Sequence, residues 1–403
     1  MTERIELRLG PDERAESPYL EVPFEVPAGV GAIHVRLAYA AGREAVIDLG
    51  CSGPQGWRGW SGGARSRFTI TADAATPGYV PGEPEPGVWS VVLGLHRVPG
   101  AGVGVVVEIE LDGAAPLDPE PPEPPVPQRP PRRALPAEPG LTWLACDFHA
   151  HTLHSDGTLG IGELAAHAVE SGLDVLAVTD HNTVSHHAAL PRVSDRYGVG
   201  LLPGQEVTTD RGHANAFGAI DWVDFRRPAA HWVRDVDAAG GLLSINHPLA
   251  ADCSWHQPLE ANDRPPLAEI WHWSWLDRTW TGPLAWWEAW NPSTVPISGS
   301  DFHSPAHGRP LAQPVTWVAC ESAAPEDVLD GLRQGRTAVT AGTSEPVLLR
   351  VDDELVAVDA DGLVLADTAG RRQVVHGDMV RFPGAPGPHR LETPLAAVVA
   401  LTR

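Results

Sequence analysis

Four short clusters of potential metal ligands recur through the middle of the chain, each following an apolar run, and this repetition narrows the folds open to it. They are Asp147-Phe148-His149-Ala150-His151 leading to Asp156, Thr179-Asp180-His181-Asn182, Glu206 with His213 and then His247, and Ser300-Asp301-Phe302-His303. Imidazoles and carboxylates bind first-row divalent metals. An HxH pair on a strand points both rings to one side, because strand side chains alternate with period two. The nine candidate ligands are His149, His151, Asp156, His181, Glu206, His213, His247, Asp301 and His303. They are spread far more widely than a structural zinc site needs, which points to a catalytic metal cluster built at the ends of several strands.

From about residue 141 the sequence alternates strand and helix patterns. Apolar runs at 143–148, 173–178, 199–203, 213–218, 241–245, 267–271 and 295–299 read as buried strands, and Ile161-Gly162-Glu163-Leu164-Ala165-Ala166-His167-Ala168-Val169 reads as an amphipathic helix. Alternating β and α units imply an α/β fold with a mostly parallel sheet or barrel. Seven such strands suggest a barrel, whose function lies at the carboxyl ends of its strands. The ligand clusters fall at those ends.

The flanking regions differ. Residues 1–114 show short alternating stretches, such as Ala32–Leu37, Arg67–Thr71 and Gly104–Leu111, separated by Gly/Pro-rich turns, as in an antiparallel β-sandwich. Asp48 and His96 there look isolated, as ordinary core or surface groups. Between Pro116 and Pro131 nine residues are proline, so 115–140 reads as a stiff, polyproline-like linker. Residues 141–345 form the ligand-bearing domain, and 346–403 read as a small β appendage.

A formal charge of −23 argues against a nucleic-acid polymer as partner, because phosphate contacts need clustered Lys and Arg. Cys51, Cys146, Cys253 and Cys320 are far apart and form no CxxC, which disfavours a disulfide framework or thiolate zinc site. The N-terminus is charged, without an apolar signal core, and no run approaches a membrane span. The expectation is a cytoplasmic protein acting on a small molecule, with a homo-oligomer left open.

The motifs HAHTLHSDG, VTDHN, GQEVTT with GHANAFG, INHP and SGSDFH, in that order, resemble the PHP (polymerase and histidinol phosphatase) family over roughly 141–345. The preceding sandwich is similar in layout to the carbaryl-hydrolase branch of these metallohydrolases. The resemblance implies a distorted seven-stranded barrel holding two or three divalent ions, with Zn, Mn and Fe all suited to N/O ligands. It further implies that His149, His151 and Asp301 share one ion with Glu206, that Glu206 bridges to a second held by His213 and His247, and that Asp156, His181 and His303 bind a third. Some members carry His where this chain has Asp156. Two such ions can activate a bridging water as hydroxide near neutral pH. Asp147 and Asp180 read as partners that hold the ligands, or as caps at strand ends.

Glu206, Asp301 and His303 are the central catalytic candidates, with His154 or His307 as a general acid near a leaving group. Arg309 and Arg211 are candidates for gripping a substrate phosphate through their fork geometry. Eight tryptophans fall between Trp255 and Trp290, and Trp273, Trp275 and Trp280 sit where barrel substrates bind, so Trp275 and its neighbours could offer a flat face to an aromatic group. The leading expectation is a metal-dependent hydrolase of small phosphate esters, such as nucleotide or sugar phosphates. The alternatives are hydrolysis of carbamates or carboxylic esters by the same cluster, and a non-catalytic, metal-stabilised binding module. Two roles are open for the sandwich, covering the barrel mouth or mediating dimerisation.

Overall fold

A computed structural model describes residues 2–113, 117 and 120–403; Pro116 and Pro119 of the proline-rich segment lie outside the described residues. The chain forms two compact units. One contains Met1–Pro122, Thr152–Gly160 and Asp180–Ala188; the other contains Glu123–His151, Ile161–Thr179 and Ala189–Arg403.

The first unit is sandwich-like. Strands β1 (Thr2–Leu9), β8 (Val103–Leu111), β3 (Ala32–Tyr39) and β6 (Arg67–Thr71) form one sheet in that order. Strands β2 (Tyr19–Val26), β7 (Gly87–Arg97), β4 (Val46–Gly53) and β5 (Gly56–Gly62) form the other. Val103, Val105, Val107, Ile109 and Leu111 are all buried, so β8 shows the period-two pattern of a strand with one face on a core. That core also contains Phe24, Ile33, Phe68, Trp89 and Leu93.

In the second unit seven strands lie side by side in the order β15-β14-β13-β12-β11-β10-β9. They are β9 (Thr142–Asp147), β10 (Val175–Val178), β11 (Gly200–Thr209), β12 (Gly212–Phe217), β13 (Leu242–Ile245), β14 (Leu267–His272) and β15 (Val295–Gly299), one for each apolar run. Helix Ile161–Glu170 buries Ile161, Leu164, Ala165, Ala168 and Val169, the single face its spacing predicts. The chain beyond β15 pairs in parallel with the chain beyond β9 at Ala150 and Phe302, and the Ser298 N–H donates to the Thr316 hydroxyl (2.8 Å). The run of strands therefore curves back on itself and gathers its carboxyl ends.

The strands are not uniformly parallel. β11 and β12 form an antiparallel hairpin, and β12 pairs antiparallel with β13. Asp210 and Arg211 make the turn, with Gly212 at a φ of 114°, which a glycine adopts without steric cost. Two further strands, β16 (Val315–Cys320) and β17 (Thr337–Thr340), continue the sheet beyond β9.

Near the C-terminus, β18 (Val347–Val351), β19 (Glu354–Val358) and β22 (Met379–Pro383) make a three-stranded sheet. The strands β20 (Val364–Asp367), β21 (Arg372–Val374), β23 (His389–Glu392) and β24 (Val398–Thr402) instead extend the large sheet, β24 pairing with β17. The tail residues thus complete hydrogen bonding along an edge that would otherwise be open.

From Glu123 onward the proline-rich segment lies along the second unit rather than spanning open solvent. Arg132 Nε and Arg129 Nη1 reach the buried Asp174 carboxylate at 2.7 and 3.5 Å, and Arg129 also donates to the Gly198 carbonyl. Tyr197 Oη donates to the Pro124 carbonyl (2.6 Å), and Trp143 Nε1 donates to that of Pro136 (2.8 Å). Proline prevents this segment from pairing with a sheet but leaves its carbonyls available as acceptors. Among the described residues no helix is long and apolar enough to cross a membrane.

Candidate metal centre

The second unit brings the carboxyl ends of β9, β11, β13, β14 and β15 together, and the ligand candidates they carry converge. His149 and His151 follow β9, Glu206 lies in β11, His213 opens the return strand β12, His247 follows β13, and Asp301 and His303 follow β15. Glu206 is at the centre. Its Oε1 lies 3.2 Å from His149 Nε2, 3.1 Å from His213 Nδ1 and 3.4 Å from His247 Nε2, while Oε2 faces His151 Nε2 at 3.5 Å. Asp301 Oδ1 lies 3.3 Å from His149 Nε2 and 3.2 Å from His151 Nε2. In each of the groups His149–His151–Glu206, His149–His247–Glu269 and Glu206–His213–His247, one donor atom per residue lies within 4.8 Å of the others.

This donor set fits a divalent metal. His149 Nε2 is fully buried between two carboxylates, yet in hydrogen-bonding geometry with neither. A buried polar nitrogen without a hydrogen bond is costly, and a cation among these atoms removes that cost. The backbone holds two of these ligand candidates under some strain, since His247 and Asp301 adopt φ of 27° and 51°. Such left-handed conformations cost non-glycine residues of order 1–3 kcal/mol and concentrate at functional sites.

The electrostatics agree. Burial alone would lower the His149 pKa, but Glu269, Glu206 and Asp301 outweigh it and hold the imidazolium well above its usual range. His247 is raised in the same way against burial, chiefly by Glu206 and Glu269. Burial would raise Asp301, but His149, His151, His272 and His303 hold it well below the usual carboxylate range. Protons on the rings balance the buried carboxylates, and a divalent ion would compete for the same atoms.

Three residues of this cluster were not foreseen. Glu269, in β14, accepts from His149 Nδ1 at 2.8 Å and from the His247 N–H at 2.9 Å, and is itself held below the usual range by His149 against the effect of burial. Asn246 donates to Glu206 Oε1 (2.8 Å) and accepts from the Asn215 N–H, setting the carboxylate's orientation. His272 Nε2 lies 3.3 Å from Asp301 Oδ2, and burial lowers its pKa. A charged residue inside the apolar run Leu267–His272 was the available signal for Glu269. Asp147 holds the ligand loops, accepting from the N–H groups of Ser300, Ala312 and His149, and burial raises it to about 6.

At the rim, His303 stacks on His151 with centroids 4.1 Å apart, and its Nδ1 lies 2.8 Å from the Asp301 carbonyl. His307 is exposed, 6.4 Å from the His303 ring. Arg309 is exposed and lies over Trp273, 3.2 Å from the ring centroid, while Trp273 Nε1 reaches Asp301 Oδ2 at 3.3 Å. Arg211 bonds the His256 carbonyl at 3.2 Å. Trp275 is buried with its N–H on the Trp280 carbonyl (2.7 Å), and the exposed indole of this stretch is Trp280, at 60%.

The remaining predicted residues lie in the first unit. Asp156 Oδ1 and His181 Nε2 are 3.6 Å apart, on the segments Thr152–Gly160 and Asp180–Ala188. Asp180 ties the segments together, accepting from Thr152 N–H (2.8 Å), Thr152 Oγ1 (2.7 Å) and Ser155 Oγ (2.7 Å). His154 has both ring nitrogens engaged, with Ser185 Oγ at 2.7 Å and Glu120 Oε1 at 2.9 Å. Asp48, isolated in sequence, packs against Trp60 and Gly94; burial raises its carboxyl to about 7 while the charge of His181 draws it down.

No family model matches the chain. Among curated proteins, 123 residues are 40% identical to the 5'-3' exoribonuclease Rnm of Escherichia coli K12, covering 30% of this chain and 35% of that protein. Over 65 residues the chain is also 40% identical to the 5'-3' exoribonuclease Rnm of Salmonella typhimurium LT2, covering 16% of this chain and 22% of that one. The chain thus spans about a third or less of the length of these relatives. Among solved structures, one described as a two-domain protein containing predicted PHP-like metal-dependent phosphoesterase, from Bacteroides vulgatus, has a TM-score of 0.46 at 17% identity, covering 69% of this chain and 99% of that one. An amidohydrolase from Chromobacterium violaceum has a TM-score of 0.32 at 17% identity, covering 40% and 88%.

Proposed function

We propose that this chain is a metal-dependent phosphoesterase of PHP type, with β9–β15 as the barrel strands and a small phosphorylated molecule as substrate. The observation that carries the reading is Glu206, one carboxylate facing His149, His213 and His247 through Oε1 and His151 through Oε2. A carboxylate so placed can be shared by two cations. His149, His151 and Asp301 would hold one ion with Glu206, His213 and His247 would hold a second, and Asp156 and His181 would be a ligand pair for a further one. Divalent ions here supply Lewis acidity and the means to ionise water near neutral pH.

The chain's own groups do the rest. Glu269 fixes His149 by taking its Nδ1 proton in a hydrogen bond, which leaves Nε2 as the ligand atom. Arg309 binds a non-bridging phosphate oxygen at the rim, and Trp273 beneath it holds the guanidinium in place. His303 carries the proton to the leaving alcohol. His154, saturated by Ser185 and Glu120, serves its loop instead.

The Arg309–Trp273 stack also weighs against carbamates with an aryl group. An aromatic substrate seeking the Trp273 face would have to displace the guanidinium, whereas an anion gains from it. The test is elemental analysis of the purified protein together with turnover of p-nitrophenyl phosphate, bis-p-nitrophenyl phosphate, an aryl N-methylcarbamate and a short RNA with a 5'-phosphate. Bound metal with release from the small phosphate esters is the expected result. Turnover of the carbamate alone would transfer the reading to ester-carbonyl chemistry. Degradation of the RNA alone would give the chain the activity its curated relatives are named for.

A further inference from the structure

The loops that carry Asp156 and His181 have little regular structure of their own, and both belong to the same compact unit as the sandwich. Ordering such segments costs backbone entropy, so a ligand pair on them needs external support. Sandwich residues provide it at two places. Arg65, in the turn before β6, donates to the Ser155 carbonyl (3.0 Å) and to the Leu153 carbonyl, on either side of His154 and directly before Asp156. Gly78 donates its N–H to Ser185 Oγ (3.1 Å) and accepts from Thr183 Oγ1 (2.7 Å), just beyond His181.

Gly78 is also a site where no side chain fits. Its φ is 100°, and a Cβ there would lie 2.7 Å from the Trp60 carbonyl oxygen and 2.8 Å from that of His154. The close backbone approach is what lets one residue reach both loops. His154 closes the arrangement by joining Ser185 of the second loop to Glu120.

We infer that the sandwich is part of the metal-binding apparatus, with Arg65 and Gly78 as positioning residues that hold the Asp156–His181 pair in ligating geometry. The inference rests on the proposed reading of these two residues as ligands. It gives the N-terminal domain a role in loading an ion, beyond covering or dimerisation, and makes loss of that ion the consequence of disturbing a residue that touches neither metal nor substrate.

The test uses the full chain, comparing wild type with Arg65→Ala, Arg65→Lys and Thr183→Val. Manganese stoichiometry is measured by titration and elemental analysis, and amide exchange is followed in 152–160 and 180–188. The expected result is that Arg65→Ala binds one ion fewer per chain, or binds its weakest ion at least tenfold more weakly. The remaining ions are held as before, exchange quickens in 152–160, and Arg65→Lys recovers part of the loss. Thr183→Val should do the same through 180–188. Equal stoichiometry and affinity in all four proteins would overturn the inference alone, even if the melting temperature fell, because a merely structural contact would do that. A wild-type protein that takes up no ion would overturn the reading of the cluster and this inference with it.

Discussion

His149 Nδ1 lies 2.8 Å from Glu269 Oε1, and the other oxygen of the same carboxylate accepts the His247 N–H at 2.9 Å. One buried side chain on β14 therefore sets the ring of one candidate ligand and the backbone of another. Replacing it by glutamine keeps the shape but removes the charge that would favour a metal on His149 Nε2. Glu269→Gln should weaken metal binding roughly 10–100-fold while the protein stays folded. Titration with Mn or Zn, with circular dichroism as control, checks this; unchanged affinity would remove Glu269 from the centre.

Gly299 ends β15 beneath the same pair. A Cβ there would collide with Glu269 Oε1 and His149 Cβ. Both neighbours are buried and cannot swing away, so Gly299→Ala should cost about 1–3 kcal/mol of stability and abolish high-affinity metal uptake. Thermal melting and elemental analysis read the two effects separately.

The pH dependence follows from His149 and Asp301. In metal-free protein the folded-state pKa of His149 is raised well above its ordinary value by neighbouring carboxylates, against burial. Its contribution to stability is thus complete below the unfolded pKa, about 6.5, and is lost as pH rises through the raised folded value. Asp301 is depressed, so its contribution is present above an unfolded pKa of about 3.9 and is lost as pH falls through its folded value. An ion on His149 must displace a tightly held proton, so apparent metal affinity should strengthen from pH 6 to pH 8. Isothermal titration at three pH values in that range measures it, and a flat profile would mean His149 is not a ligand.

Arg309 sits on Trp273, whose Nε1 reaches Asp301 Oδ2. Arg309→Ala should raise KM for a phosphate ester about tenfold, with a smaller change in kcat, as expected when ground-state binding is lost. Trp273→Leu should do the same by freeing the guanidinium. Steady-state kinetics on p-nitrophenyl phosphate decide this, and a loss confined to kcat would place Arg309 in the chemistry instead.

Cys51, Cys146 and Cys320 are buried and unbridged, while Cys253 is half-buried with its thiol pushed up to about 11, mainly by burial. In native protein at pH 8 a thiol reagent such as DTNB should modify at most one cysteine per chain, and slowly, and all four in denaturant.

The order of the ligand clusters, the seven apolar runs and the alternating N-terminal strands were legible in sequence because each is a local pattern. Period-two and period-3.6 burial depend on neighbours a few residues apart, and HxH or SDFH places donors within one short segment. The antiparallel hairpin of β11 and β12 was less legible, since an apolar run does not state its strand's direction. The attachment of Arg129 and Arg132 to Asp174 could not be read from composition, which showed only that the segment avoids sheets.

What tertiary structure alone decided is which groups meet. Glu269 and His272 carry no motif, and Asn246 only precedes His247 in INHP; all three became visible when β13, β14 and β15 brought them within hydrogen-bonding reach of Glu206, His149 and Asp301. His154 reads in sequence as a general-acid candidate, and the structure adds that Ser185 and Glu120, distant in the chain, engage both its nitrogens. Arg65 and Gly78 gained meaning in the same way. The physical reason is the range of the forces: propensity and periodicity act along the chain, whereas hydrogen bonds, burial and charge act across a few ångströms of space, which only the fold defines.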